Sequence, residues 1–164
     1  MSNTEIIVKM VLDRWNASIS AMDNLLQKLS DEEIQMEIAP GKNRGIYLLG
    51  HLIAVHDAML ILLDMGEEMF PELKDIFLTN PDHAVAKIPD TKELRSYWKK
   101  QCDELNVKFE QLQPEHWFAK HTAVSSEEFI NEPHRNKLNI ILTRTTHLQY
   151  HLGQLKLLGN RNKS

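Results

Sequence analysis

The chain has 164 residues and a net charge of −4 at pH 7, with charges of both signs interspersed. This length predicts a single domain over residues 1–164, large enough to bury a core without disulfides. The slightly acidic balance argues against a nucleic-acid partner, which usually needs a basic patch. The single cysteine, Cys102, allows no disulfide within the chain, and the N-terminus lacks a signal-peptide pattern. Both features favour a cytoplasmic protein.

Apolar residues at helical spacing predict four long helices and no persistent strand. The first covers residues 3–29, with a stripe along one face: Ile7, Val11, Trp15, Ser18, Met22, Leu25 or Leu26, and Leu29. A capping-box pattern at Ser30 then predicts a short helical turn. The second long helix covers residues 44–65, with Asn43 as its N-cap and Gly66 as its stop.

The second helix is apolar nearly all round, and residues 45–63 are long enough to resemble a membrane span. They contain His51, His56 and Asp57, and ionisable groups are costly at the centre of a bilayer. We therefore expect a buried core helix and no membrane partner.

Residues 66–90 hold three prolines and one short apolar piece, residues 73–78, which we predict to be a short helix. So long a connection suggests that the second and third helices run parallel, joined by a crossover. Asp90, with Glu93 at the third position, predicts the start of the third helix, and Pro114 ends it.

The third helix and the segment after it contain further expected core residues. Cys102 is expected as a buried small hydrophobe, and Trp15 and Trp98 are expected in the core. Trp117, Phe118 and Phe129 are the expected anchors of a polar insertion over residues 115–135. The fourth long helix covers residues 135–158, and Gly159 stops it.

Three histidines point toward the interior of these helices. His147 and His151 lie four residues apart, within about 40° of each other on one helix face. On the second long helix, His51 falls among apolar positions. Three imidazoles without a fourth protein ligand form the donor set of an open metal site. The residues alone leave two alternatives, a bound metal ion or a buried hydrogen-bonded cluster.

The other five histidines are expected in solvated positions. His56 lies well off the direction of His51, and four fall in loops or insertions: His83, His116, His121 and His134. If His121 or His134 completed the ligand shell, the metal would be structural, because structural sites are closed by a fourth ligand.

Two short motifs, in this order, resemble the DinB-like superfamily. Residues 49–52 read Leu-Gly-His-Leu, and residues 147–154 contain His-x-x-x-His-x-Gly-Gln. The resemblance covers nearly the whole chain and implies an all-α four-helix bundle with up-down-down-up topology. It also implies a homodimer and a divalent metal held by His51, His147 and His151. Well-understood members are transferases or isomerases that use low-molecular-weight thiols, and many others are regarded as metal-dependent hydrolases.

Three imidazoles leave a bound metal with its full positive charge, which lowers the pKa of a bound water or thiol. Peptidase sites of the His-Glu-x-x-His kind carry a glutamate base beside the first histidine, whereas Leu148 follows His147 here. This favours a transferase that joins a low-molecular-weight thiol to a small-molecule electrophile. The alternatives are a metal-dependent hydrolase in the same site, or a non-catalytic bundle that binds a ligand or partner. Di-iron carboxylate bundles need inward Glu-x-x-His pairs, and no predicted helix contains one.

Three further residues are candidates for the pocket, while the catalytic residues stay unassigned. Arg144, one turn before His147, could pair with a substrate carboxylate, although a surface ion pair is the commoner role. Gln154 could orient a ligand or act as a structural amide. Tyr47 lies one turn before His51, where packing is the commoner role. Zinc or nickel is expected as the metal, with iron or manganese as alternatives, because all accept imidazole.

Overall fold

The computed structural model describes residues 1–159, and every secondary-structure element in this range is a helix. The helices are α1 (Asn3–Lys28), α2 (Asp31–Gln35), α3 (Gly45–Leu62), α4 (Thr91–Gln111), α5 (Ser126–Asn131) and α6 (Lys137–Leu155). A π-helical turn covers Asp75–Thr79, and a 3-10 helix covers Pro114–Phe118. Within residues 1–159, β-type pairing is limited to two isolated bridges. The predicted all-α class and its four long helices are confirmed.

The N-terminal end of α1 follows from its local sequence. Ser2 accepts a hydrogen bond from the Glu5 backbone N–H at 3.2 Å, and the Glu5 carboxylate accepts one from the Ser2 backbone N–H. This reciprocal pair is a capping box. The predicted stripe is wrong at its first position, because Ile7 is 47% exposed and Val8 is buried instead. A helical stripe can step by three or four residues, and here the step before Val11 is three.

The second long helix, α3, begins one residue later than predicted. Arg44 is the N-cap instead of Asn43, and no side chain caps this end. Arg44 instead pairs with the Asp82 carboxylate, with Nη2 2.7 Å from Oδ1. The helix ends at Leu62, earlier than predicted, shortly before Asp64 adopts a φ of 57°. By length and composition α3 could cross a membrane, but 67% of this window is buried inside the protein, as expected for a core helix.

The crossover between α3 and α4 folds back against α3. The short helix predicted from the apolar residues 73–78 is present as a π-helical turn at Asp75–Thr79. Phe77 in this turn is fully buried. The Tyr47 hydroxyl donates to the Asn80 carbonyl at 2.7 Å, which fixes the end of the turn on α3.

A buried polar network joins α3, α4 and the crossover. Asp57 is buried, with 2% of its surface exposed. Its carboxylate accepts hydrogen bonds from the backbone N–H groups of Met69, at 3.0 Å, and Phe70, at 2.7 Å. Gln101 Nε2 donates to Asp57 at 3.1 Å and to the Ile53 carbonyl at 2.9 Å. The carboxylate therefore replaces the backbone partners that the crossover lacks.

The remaining helix ends agree in part with the sequence. Asp90 and Glu93 form the predicted capping box of α4. Pro114 does not end α4, which stops before it, but opens the 3-10 helix. Asn136 caps α6 by accepting from a backbone N–H of its first turn at 3.0 Å. The fourth long helix is therefore shorter at both ends than residues 135–158.

The core lies where α1 packs against α6 and where α3 packs against α4 and α6. Trp15, Trp98 and Trp117 are buried as predicted. Phe118 is 36% exposed, so it is not the buried anchor of the insertion that was predicted. Cys102 is half-buried and packs against the core. Burial, followed by nearby carboxylates, raises the pKa of the Cys102 thiol above its usual range, which disfavours a reactive thiolate.

Candidate metal centre

The three inward histidines come together between α3 and α6. His51 Nε2 lies 3.2 Å from His147 Nε2, which lies 3.0 Å from His151 Nε2. The three ligand atoms all lie within 4.8 Å of one another. His151 is buried, and His51 and His147 are half-buried. The faces derived from helical spacing are therefore the right ones.

Neighbouring oxygen atoms fix the tautomer of two of these rings, that is, which ring nitrogen carries the hydrogen. His51 Nδ1 lies 3.0 Å from the Phe77 carbonyl oxygen, and His151 Nδ1 lies 2.7 Å from Gln154 Oε1. Both oxygens only accept hydrogen bonds, so each Nδ1 carries the proton in the neutral ring. The Nε2 atoms of His51 and His151 therefore point lone pairs at the centre, the arrangement that outer partners impose on metal ligands.

The convergence of these lone pairs fits a cation better than a hydrogen-bonded cluster. His147 Nε2 could donate one hydrogen to His51 or to His151, which would leave the other acceptor unmatched. One metal ion accepts all three lone pairs. Two nitrogens bound to zinc at the tetrahedral angle lie about 3.3 Å apart, close to the 3.0 and 3.2 Å observed. The histidines present therefore fit a divalent transition metal.

The local environment keeps His147 and His151 neutral, as metal ligands must be. Burial, followed by His151, His51 and Arg144, lowers the pKa of His147 to about 4. Burial also lowers the pKa of His151, against a smaller opposing effect of its bond to Gln154. At neutral pH His147 and His151 are therefore uncharged and able to donate lone pairs.

Gly50 explains how the crossover reaches His51. A Cβ on Gly50 would lie 2.4 Å from the nearest atom of the Phe77 ring, so only glycine lets this ring pack on α3. The packed Phe77 brings its carbonyl to His51. The Leu-Gly-His order of the motif thus has a physical basis, because the glycine admits the residue that orients the next histidine.

The predicted pocket residues have different roles. Gln154 accepts from His151, so it orients a candidate ligand. Tyr47 stacks on His51 with ring centroids 6.5 Å apart and holds the crossover through its hydroxyl, which is a supporting role. Arg144 is half-buried and lowers the pKa of His147 through its charge, after the effects of burial and the other two histidines. In the described part of the chain it has no ion-pair partner, so the commoner role considered for it is not observed.

Two histidines expected in solvent are buried. His56 is completely enclosed, with its ring 4.9 Å from Trp15 and 5.5 Å from Trp98 between ring centroids. Its direction differs from that of His51, but α3 is buried on nearly all sides, so that direction also faces the core. His121 is 9% exposed because its loop folds over the end of α3, where Thr122 bonds Leu62.

The group has no fourth protein ligand among residues 1–159. His121 and His134, the candidates for closing the shell, lie outside it, and His134 is exposed, as are His83 and His116. Sequence reasoning missed the Phe77 carbonyl as a partner of His51, because side-chain patterns do not record backbone acceptors. Glycine beside histidine was the one available signal.

Two of three comparisons with known proteins gave matches. The family model of the DinB superfamily matches residues 14–155, which include all three histidines. A crystal structure of a conserved protein from Enterococcus faecalis superposes with a TM-score of 0.65 at 11% identity, covering 98% of this chain and 96% of that one. At this identity the likeness concerns the fold alone. The comparison with curated proteins gave no match. Because the family model spans most of its length, this chain belongs to the DinB superfamily.

Proposed function

We propose that this protein is a metal-dependent transferase that joins a low-molecular-weight thiol to a small electrophile. One observation carries the proposal: three imidazoles direct Nε2 atoms at one point, and no fourth ligand of the described chain closes the group. The proposal includes a cytoplasmic homodimer in which the four long helices form an up-down-down-up bundle. Zinc or nickel is the proposed metal, because both accept imidazole.

Each residue of the centre has a defined task. His51, His147 and His151 hold the metal, and the Phe77 carbonyl and Gln154 keep two of the rings in the required tautomer. A divalent metal held by these residues would lower the pKa of a thiol or water bound to it. His51 and His147 are only half-buried, so small molecules could reach the histidine group from solvent.

The choice of transfer over hydrolysis depends on the absence of an acid. The histidine group includes no carboxylate among the described residues, and Leu148 follows His147. Metal-dependent hydrolases of the His-Glu-x-x-His kind use a carboxylate base to take a proton from the attacking water. A thiol, whose pKa is about 8.5 when free, needs less help to ionise. The arrangement therefore supports transfer better than hydrolysis.

Steady-state assays of the zinc-loaded protein test this proposal. The probes are cysteine and glutathione with 1-chloro-2,4-dinitrobenzene, and 4-nitrophenyl acetate without thiol. We expect thiol conjugation that disappears on chelation and in His147→Ala, and that persists in the matched control His116→Ala, whose histidine is exposed.

Ester hydrolysis in the absence of thiol, lost in His147→Ala, would favour the hydrolase instead. One bound metal per chain with neither activity would favour the non-catalytic bundle. Conjugation of equal rate in His147→Ala and the wild type would contradict the site assignment.

A further inference from the structure

Arg144 is a half-buried cation without an anion. It forms no hydrogen bond or ion pair with residues 1–159, and its Nε is enclosed, whereas its terminal nitrogens reach the surface. Each of the other half-buried arginines of the described chain forms an ion pair: Arg44 with Asp82, Arg95 with Asp31, and Arg135 with Glu132. Burying an unpaired charge is costly, and burial lowers the pKa of Arg144. Its position therefore calls for an anion that this part of the chain does not supply.

A second unmatched donor lies one turn further along α6. If His147 Nε2 binds a metal, Nδ1 must carry the proton of the neutral ring. His147 Nδ1 is enclosed and has no partner, whereas the corresponding atoms of His51 and His151 each have one. A ligating histidine almost always donates its other N–H to an acceptor. His147 lacks that acceptor in the described chain.

The two donors belong to the same side of α6. Arg144 and His147 are three residues apart and are neighbours on one helical face. An acceptor with two oxygens can engage both donors, because a guanidinium presents parallel N–H groups that match a carboxylate.

Apolar residues on the helical faces that carry His51 and Arg144 indicate the size and polarity of the ligand. On α3, Val55, Ala58 and Leu62 continue the helical face of His51 and are half-buried. On α6, Ile140 precedes Arg144 by one turn and is also half-buried. These incompletely covered apolar side chains favour a ligand with a short apolar body beside its charged group.

We propose that Arg144 and the His147 Nδ1–H form a carboxylate-binding subsite, so that the electrophile is a small organic acid with a short apolar body. This inference rests on the proposed function, because the subsite adjoins the metal position. Arg144 would hold the carboxylate, and the reactive carbon would face the open side of the histidine group. The matched shape of guanidinium and carboxylate favours this anion over a point-charge interaction.

The test uses butyrate as the probe and its neutral amide as the comparison. Binding is followed by calorimetry and by the NMR signal of the Arg144 Nε–H, in metal-free and in zinc-loaded protein. We expect butyrate to shift this signal in both forms and butyramide to leave it unchanged. Binding should be weaker in the metal-free protein, because there the His147 proton can sit on Nε2, which leaves Arg144 as the only donor of the subsite. Arg144→Gln should weaken butyrate binding by about tenfold or more, as for other charge-assisted hydrogen bonds. The butyrate affinity of Arg144→Lys should lie between those of the wild type and Arg144→Gln. Arg14→Gln, which replaces an exposed arginine, should bind butyrate like the wild type.

Equal butyrate binding by Arg144→Gln and the wild type would overturn the proposal, as would an equal loss in Arg14→Gln. Binding only to the zinc-loaded protein, unaffected by Arg144→Gln, would place the carboxylate on the metal and would also overturn it. Helical circular dichroism checks that each variant folds. If Arg144→Gln does not fold, Arg144→Lys, which keeps the positive charge, serves as the test variant. Because binding to the metal-free protein requires neither metal nor thiol, a failed thiol assay with intact butyrate binding contradicts only the proposed function.

Discussion

Two buried polar clusters in this protein differ in how their atoms are matched. Around Asp57, one acceptor group faces three donors on two other segments, and only Gln101 Oε1 lacks a partner. Around His51, three Nε2 atoms face one another. Apart from that oxygen, the first cluster is satisfied within the described chain, whereas the second needs an atom from outside it.

This difference separates a polar group that builds the fold from one that serves a ligand. A satisfied buried network rigidifies a structure, and an unsatisfied one costs free energy. The protein tolerates that cost in the histidine group and at Arg144, which lies one turn before His147 on α6. It largely avoids that cost around Asp57. Removing residues from each cluster should therefore affect different properties.

The largest loss of stability is expected for Asp57→Ala. The backbone N–H groups of Met69 and Phe70 would lose their acceptor, and buried donors left unpaired cost about 1–3 kcal/mol each. We expect the free energy of unfolding to fall by roughly 3 kcal/mol in urea titrations, with zinc stoichiometry unchanged in the folded protein. Asp57→Asn keeps one acceptor and should lose less. A loss of metal binding without a loss of stability would reverse the roles assigned to the two clusters.

Gln154→Leu should affect metal affinity instead of stability. Without the amide oxygen, His151 loses the partner that fixes its tautomer, and such outer partners are worth about 10- to 100-fold in metal affinity. Competition with a chromophoric chelator measures this. The matched control is Gln149→Leu on the same helix, whose amide donates to Ser18 Oγ at 2.7 Å and which should keep its zinc affinity. Equal affinities in both variants would contradict the orienting role of Gln154.

Two glycines inside helices give opposite expectations. Gly50→Ala would drive a Cβ into the Phe77 ring, and overpacking costs about 1–3 kcal/mol. The displaced Phe77 carbonyl should also weaken zinc binding through His51. In Gly153→Ala the new Cβ meets nothing within 4 Å, so the variant should gain up to about 1 kcal/mol. Thermal unfolding with and without zinc distinguishes them, and equal shifts in both variants would exclude the close-approach account.

An effect that appears only as the pH falls concerns His56. Burial, followed by its basic neighbours, lowers the pKa of His56 to about 3. The unfolded chain, with a pKa near 6.5, therefore binds more protons between these values, and the folded state loses stability as the pH falls. Relative to His56→Leu, the metal-free wild type should lose about 2 kcal/mol between pH 7 and pH 5.

The control for this titration is His116→Leu, which replaces an exposed histidine and should follow the wild type at every pH. A constant difference between the wild type and His56→Leu across this range would show that His56 has a buried partner or reaches water.

Helical periodicity predicted much of the fold and the grouping of three histidines, because both depend on which face a residue occupies. It placed Trp15, Trp98 and His51 correctly. It failed for His56 because α3 is buried on nearly all sides, so no direction on it means solvent. The type of the crossover turn and the Phe77 carbonyl depend on backbone contacts between distant segments, and side-chain spacing carries no record of them.

The most direct test of the metal centre is the number of zinc ions bound per chain at equilibrium. The wild type and His116→Ala should each bind one ion through three imidazoles, and His147→Ala should bind none at the same free zinc concentration. Absence of zinc from the wild type, or equal binding by His147→Ala, would contradict the assignment of His51, His147 and His151 as a metal centre.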